Sequence, residues 1–276
     1  MKDTALTRRG FLRASMALGC GFLLPRPFSA MASETDPWYA AHRDRFTAEF
    51  EVMLKSLKAP LTSCLGSDDA GYCLESARSG FEKVLAELPP IGGDQNLYMK
   101  YFISGAQYLA LYSPLKKKSV EGQVFGKIMY DLVTGYYASM SEEDKDRERD
   151  YFFSDEYLEK LDVWAFSTLE RWYGDNWLCM FIRGDWRTFD FGYDVRECAV
   201  FKLFARADIL EVMPYFCCLD FPRSIALGTG LEREKSLGFG DTSCIFRYRK
   251  GREVTQNWDT EMARLDLRFP PSTREP

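Results

Sequence analysis

Histidine is almost missing from this chain: His42 is the single one among 276 residues. A Ser-His-Asp or Cys-His arrangement would have to recruit it from beside Arg43, Asp44 and Arg45 on the first expected helix, and a histidine-rich metal site is excluded. His42 therefore reads as a surface residue, and acid–base work falls to carboxylates, thiols, tyrosines or lysines. The glycine-rich nucleotide loops GxGxxG and GxxxxGKS/T are absent, and so is any CxxC pair of the kind that marks a thiolate zinc site. Clustered base is scarce as well. The run Lys116-Lys117-Lys118 sits at an expected helix junction and reads as a solvated turn, so nucleic acid is not an expected partner. No stretch after the first 32 residues approaches the roughly 20 apolar residues of a membrane span. Internal repeats and low-complexity segments are also lacking.

What is present begins with a leader. Thr7, Arg8, Arg9, Gly10, Phe11, Leu12 and Arg13 resemble the twin-arginine (Tat) export signal, followed by an apolar stretch of 11 residues from Ala14 to Leu24 and a small-x-small site at Ala30-Met31-Ala32. The resemblance implies residues 1–32 as a signal peptide, the Tat export machinery as a partner, and a periplasmic or otherwise extracytoplasmic mature protein starting near Ser33. Ala17-Leu18-Gly19-Cys20 half resembles a lipobox, which leaves a lipid anchor at Cys20, or an uncleaved anchor, as alternatives. Cleavage takes basic residues from 36 to 31 and acidic ones from 41 to 40, so the formal charge falls from −5 to −9.

Residues 33–173 read as a helical region because apolar residues recur at three- and four-residue steps between turn residues. Asp36-Pro37 opens the first helix, whose stripe of Phe46, Phe50, Met53, Leu54 and Leu57 is expected to end at Pro60. A second carries Leu74, Ala77, Phe81, Leu85 and Leu88 up to Pro89-Pro90. Further helices are expected over 96–112, 119–139, 142–153 and 155–172. Residues 174–269 change character. Strand-like runs at 177–183 and 187–193 precede helices at 196–207 and 209–218, and two more strands, 231–237 and 243–250, flank Gly238-Phe239-Gly240-Asp241. The expected class is α+β: a helical region, then a small antiparallel sheet in ββααββ order with helices on one face. Residues 270–276 read as a disordered tail.

Seven cysteines follow the leader: Cys64, Cys73, Cys179, Cys198, Cys217, Cys218 and Cys244. In an oxidising compartment an odd count predicts disulfides with a thiol left over, or a site that uses sulfur. Cys64 and Cys73 bracket a polar loop and suit a disulfide. Cys217 and Cys218 point to different faces of a helix, so one can be core while the other meets a pocket.

The last hundred residues resemble the L-2-amino-thiazoline-4-carboxylic acid hydrolase family. Three blocks carry the likeness: Phe191, Tyr193, Asp194, Val195 and Cys198; Pro214, Tyr215, Cys217, Asp220 and Phe221; and Arg233, Leu237, Gly240, Asp241, Cys244, Phe246, Arg247 and Tyr248. Three positions depart from the family pattern: Ile245 stands where an aspartate usually follows the last cysteine, and Glu234 and Ser236 replace threonines. The resemblance implies ring opening of a small cyclic amidine by water at the carbon between nitrogen and sulfur. Cys198, Cys217 or Cys244 would attack that carbon, or Asp194 or Asp220 would activate water toward it. Arg233, Asp241 and Arg247 are the substrate-binding candidates. Because residues alternate along a strand, Arg247 faces away from Cys244, Phe246 and Tyr248, which favours Arg233 as the clamp. No cofactor is expected. The alternatives are that these cysteines are small buried hydrophobes, that three thiolates hold a soft metal, or that the pocket binds a small molecule, cofactor or metal without turnover.

Overall fold

The computed structural model describes residues 36–269; the leader, Cys20 and the tail 270–276 lie outside them. The first helix, α1 (Pro37–Leu65), starts where Asp36 accepts the Trp38 N–H at 2.8 Å and Pro37 occupies the first turn. Its buried stripe, Phe46, Phe50, Leu54, Leu57 and Leu61, runs straight past Pro60 instead of stopping there. Proline in a helix interior costs about 3 kcal/mol. Here Leu57 and Leu61 on either side of it are both buried, and that packing holds the helix on course. The second helix, α2 (Ser67–Glu87), lies against α1 through Ala70, Cys73, Ala77 and Phe81, with the Phe50 and Phe81 rings 4.4 Å apart.

This corrects the expected disulfide. The stretch after Cys64 turns at Gly66 and is helical again from Ser67, so Cys73 sits inside the α1–α2 interface while Cys64 faces solvent, and both are free thiols. His42 is likewise half-buried, stacked on Trp38 at 4.3 Å, with Nδ1 2.8 Å from the Trp38 carbonyl oxygen.

Helix α3 (Met99–Lys117) is buried on nearly every side and forms the axis of the molecule. It is followed by α4 (Gly122–Ser139), α5 (Glu142–Phe152) and α6 (Asp155–Thr168), the last two capped by Ser141 and Ser154 side chains. One hydrophobic cluster joins these helices to the later elements, including Tyr98, Phe102, Trp164, Trp177 and Tyr193.

The antiparallel sheet has the spatial order β1 (Leu178–Arg183), β2 (Phe191–Glu197), β4 (Cys244–Tyr248), β3 (Glu232–Arg233). The second strand begins later than expected, because Asp185 accepts the N–H groups of Arg187 and Thr188 and shapes residues 184–190 into a loop. Between β2 and β3 come not two helices but α7 (Ala199–Arg206), a 3-10 turn (Leu210–Val212), the short α8 (Met213–Cys217) and α9 (Asp220–Leu227). Pro222 is tolerated in α9 because it lies in the first turn, and Gly228 ends that helix in a left-handed conformation. β3 keeps only two residues of the expected seven, and α10 (Trp258–Arg268), unforeseen in the sequence, follows β4 with an Asn257–Thr260 capping box. The expected ββααββ series is thus a looser ordering of strand pairs around three helices. No helix among the described residues is long and apolar enough to cross a membrane.

Candidate functional site

Strand parity divides the candidate residues. Register pairs Tyr193 with Phe246, Phe191 with Tyr248 and Val195 with Cys244, and all six point into the protein. Asp194, Ile245 and Arg247 point to the other face, where Arg247 Nη1 donates to Asp194 Oδ1 at 2.8 Å. Asp194 and Arg247 are therefore brought to each other but not to the cysteines.

The inner face is sealed by the turn after β3. Leu237 N–H donates to the Cys244 sulfur at 3.2 Å, and a Cβ added to Gly238 would lie 2.9 Å from the Cys217 sulfur. Only glycine lets this backbone pass so close over Cys217. Ser236 lies between the two sulfurs, and its hydroxyl, which makes no hydrogen bond of standard geometry, lowers both thiols slightly. Cys198 caps the start of α7 nearby, close enough for its charge to affect Cys244 and for Cys217 to affect it. The three cysteines from separate blocks thus share one neighbourhood. Burial pushes each of their thiols up to about 12, against smaller opposing pulls from Arg233 on Cys217 and Cys244 and from the Phe201 and Val200 N–H groups on Cys198. They are protonated at neutral pH. Among the described residues, no three His, Cys, Asp or Glu side chains are arranged to hold a metal ion.

Arg233 is wholly buried under this layer. Its Nη1 donates to the Cys217 carbonyl oxygen at 2.7 Å and to Asp220 Oδ2 at 2.9 Å, its guanidinium lies 4.6 Å from the Phe221 ring, and Glu261 stands 3.6 Å from Nη2. Its role in this geometry is to position Asp220. The other sequence candidate, Asp241, accepts from Ser236 N–H at 2.8 Å and from Arg268 at 2.7 Å, so it pins the turn that covers the thiols.

Asp220 is the residue with chemical potential. Burial is the largest influence on its carboxyl and raises it above the ordinary carboxylate range, with Arg233 and Arg223 pulling partly back. Yet its side chain keeps 36% of its accessible surface. The Asp220 carboxyl is thus desolvated by its surroundings and still partly accessible. Tyr193 and Tyr248, whose hydroxyls are 3.1 Å apart, both feel its charge, and burial raises both phenols so that they stay protonated.

Sequence reasoning missed the rest of these surroundings. Arg223 on α9 lies close enough to Tyr101, Tyr137 and Tyr157, on α3, α4 and α6, for their charges to act on it. The one available signal was the spacing of Arg223 three residues after Asp220, which puts both on one face of a helix. A cleft of about 670 Å³ between residues 91–97 and α6 is lined by Trp164, Thr168, Trp172 and Asn176 and lies on the far side of Trp164 and Tyr98 from Tyr193. None of its lining residues is a cysteine or one of the candidates read from the sequence. No protein-family model matches the chain, and neither the curated proteins nor the solved structures give a match.

Proposed function

We propose that this protein hydrolyses a small cyclic amidine of the thiazoline type, with Asp220 as the general base. The observation that carries the reading is Asp220 itself: raised by burial, held by Arg233, still partly accessible, and close enough to the Tyr193 and Tyr248 phenols for its charge to act on them. In the proposed step Asp220 takes a proton from water as the oxygen bonds to the amidine carbon. Asp220 passes that proton to the ring nitrogen, the carbon–nitrogen bond breaks as the proton remaining on the added oxygen follows it by way of Asp220, and the attacked carbon is left as a carbonyl beside a free amine. Tyr193 and Tyr248 hydrogen-bond each other, and the phenol that accepts in that pair donates its own proton toward the charge that develops there. The thiols take no part as nucleophiles, since at about 12 they are almost entirely protonated at pH 7. Cys198, Cys217 and Cys244 instead line the apolar side of the site. The three cysteine blocks that resemble the thiazoline-carboxylate hydrolases support the substrate class, and the leader supports placing the reaction outside the cytoplasm.

A steady-state assay on 2-amino-thiazoline-4-carboxylate and related cyclic amidines tests this. A base must be deprotonated to act, so kcat/KM should rise with pH through the Asp220 pKa, and a raised pKa moves that limb above the ordinary carboxylate range near 4. Absence of turnover by folded protein would leave the second reading, a pocket that binds without reacting, which the protonated thiols and Ile245 favour.

A further inference from the structure

The cleft of about 670 Å³ between residues 91–97 and α6 has the size of a small-molecule site and includes neither Asp220 nor its arginines. Three aromatic side chains line it. Trp164 is 4% exposed, and its indole N–H has no hydrogen-bond partner. Trp172 and Tyr173 form the open part of the lining, 74% and 36% exposed. The backbone sets them there. Arg171, just before them, holds a left-handed φ of 54°, which is costly for a residue with a side chain, and the Tyr173 ring lies so close over Gly92 that an added Cβ would meet it at 3.4 Å.

Charge selects among ligands. Two cations line the cleft, and each already has a carboxylate: Lys160 pairs with Glu156 at 2.6 Å and Arg171 with Glu197 at 2.7 Å. Two further carboxylates, Asp94 from the 3-10 turn Gly93–Gln95 and Glu159 from α6, come from the two walls and have no ion pair or hydrogen bond among the described residues. An anion entering here meets uncompensated charge of its own sign. A cation meets two spare carboxylates beside indole and phenol rings, the surroundings that hold organic ammonium groups. The unpaired Trp164 N–H asks for an acceptor on the same molecule.

We propose that this cleft is a binding site for a small organic cation, its ammonium held between Asp94 and Glu159 against Trp172 and Tyr173, and an oxygen on its body accepting from the Trp164 N–H. The site is separate from the hydrolytic reading and stands whether or not Asp220 is a base.

Calorimetric titration of the full chain compares acetylcholine with 3,3-dimethylbutyl acetate, its uncharged carbon isostere, and with acetate. Acetylcholine should bind at least about tenfold more tightly than the isostere, as expected for a cation between aromatic rings and carboxylates. Asp94→Asn with Glu159→Gln, both at exposed positions, should erase that preference, whereas Asp131→Asn with Asp146→Asn, the same change of charge on α4 and α5, should leave it within about twofold. Trp172→Ala should weaken acetylcholine several-fold in a protein that melts normally. The Trp164 indole N–H resonance should move downfield with acetylcholine and hold its place with tetramethylammonium, which has no acceptor. No binding of acetylcholine, equal binding of the isostere, tighter binding of acetate, or a preference that survives the Asp94 and Glu159 changes overturns the assignment. So does a preference that the Asp131 and Asp146 changes remove equally, since bulk charge alone would then explain it. A Trp164 resonance unmoved by acetylcholine overturns the acceptor contact.

Discussion

Two Asp–Arg pairs lie on opposite sides of the same sheet with nearly equal lengths, 2.9 Å for Asp220–Arg233 and 2.8 Å for Asp194–Arg247. Their surroundings differ. Arg233 has no exposed surface and stacks on Phe221, while Arg247 keeps 22% and lies 5.2 Å from the Phe189 ring at the sheet's outer face. On the inner side, burial raises the Asp220 carboxyl, and the Tyr193 and Tyr248 phenols lie close enough for its charge to act on them. The comparison teaches that a short ion pair says little about chemistry; what matters is what the rest of the carboxylate faces.

The largest effect should come from breaking the two pairs at their acids. Asp220→Asn keeps the shape and removes the base, and kcat/KM should drop by roughly 10² to 10⁴, the usual worth of general base catalysis. Asp194→Asn should change it less than about threefold, because Asp194 and its partner Arg247 lie on the face of the sheet opposite Asp220. Equal losses, read in one steady-state assay, would mean that the two faces of the sheet are not functionally distinct.

Next in size is the stability of each pair, broken at the base. Arg233→Met removes the ion-pair partner of Asp220 and leaves the buried Glu261 with Arg264 alone, and the loss of a buried partner typically costs about 3–5 kcal/mol. Arg247→Met should cost about 1 kcal/mol or less. Urea unfolding midpoints of the two variants measure the difference. If Arg233→Met proves as mild as Arg247→Met, Arg233 is not what holds Asp220 in place.

Much of this contrast was legible in the strands. The alternation of Cys244, Phe246 and Tyr248 against Ile245 and Arg247 already placed Arg247 on the far face, and the register bears that out. Phe191, Tyr193 and Val195 alternate in the same way, although the strand was read too early because Arg187, Phe189 and their neighbours resemble it in composition; the Asp185 loop, a side chain–backbone structure, decides where pairing starts. The helical half was legible from its apolar stripes, and the errors there trace to prolines whose cost packing outweighs, at Pro60 and again at Pro114 inside α3. The surroundings of Arg223 were not legible at all. Tyr101, Tyr137 and Tyr157 come from three helices, and a single tyrosine on an amphipathic helix carries no local mark that distinguishes site from core.

The smallest effects should appear at the cysteines, and they sharpen the comparison from the inner face of the sheet. With thiols pushed up to about 12, Cys198, Cys217 and Cys244 hold roughly three orders of magnitude less thiolate at pH 8 than a free cysteine does. Iodoacetamide should therefore modify the exposed Cys64 on α1 first and leave those three almost untouched in the folded chain, as mass mapping of the alkylated peptides would show. Single Cys198→Ser, Cys217→Ser and Cys244→Ser variants should keep kcat/KM within about tenfold of the parent, since each loses packing but no base. Rapid alkylation of one of the three, matched by inactivation and by a loss near that of Asp220→Asn in its serine variant, would make that sulfur the nucleophile. Asp220 would then be the group that activates it, and the inner face of the sheet would owe its chemistry to sulfur held beside a carboxylate rather than to the carboxylate alone.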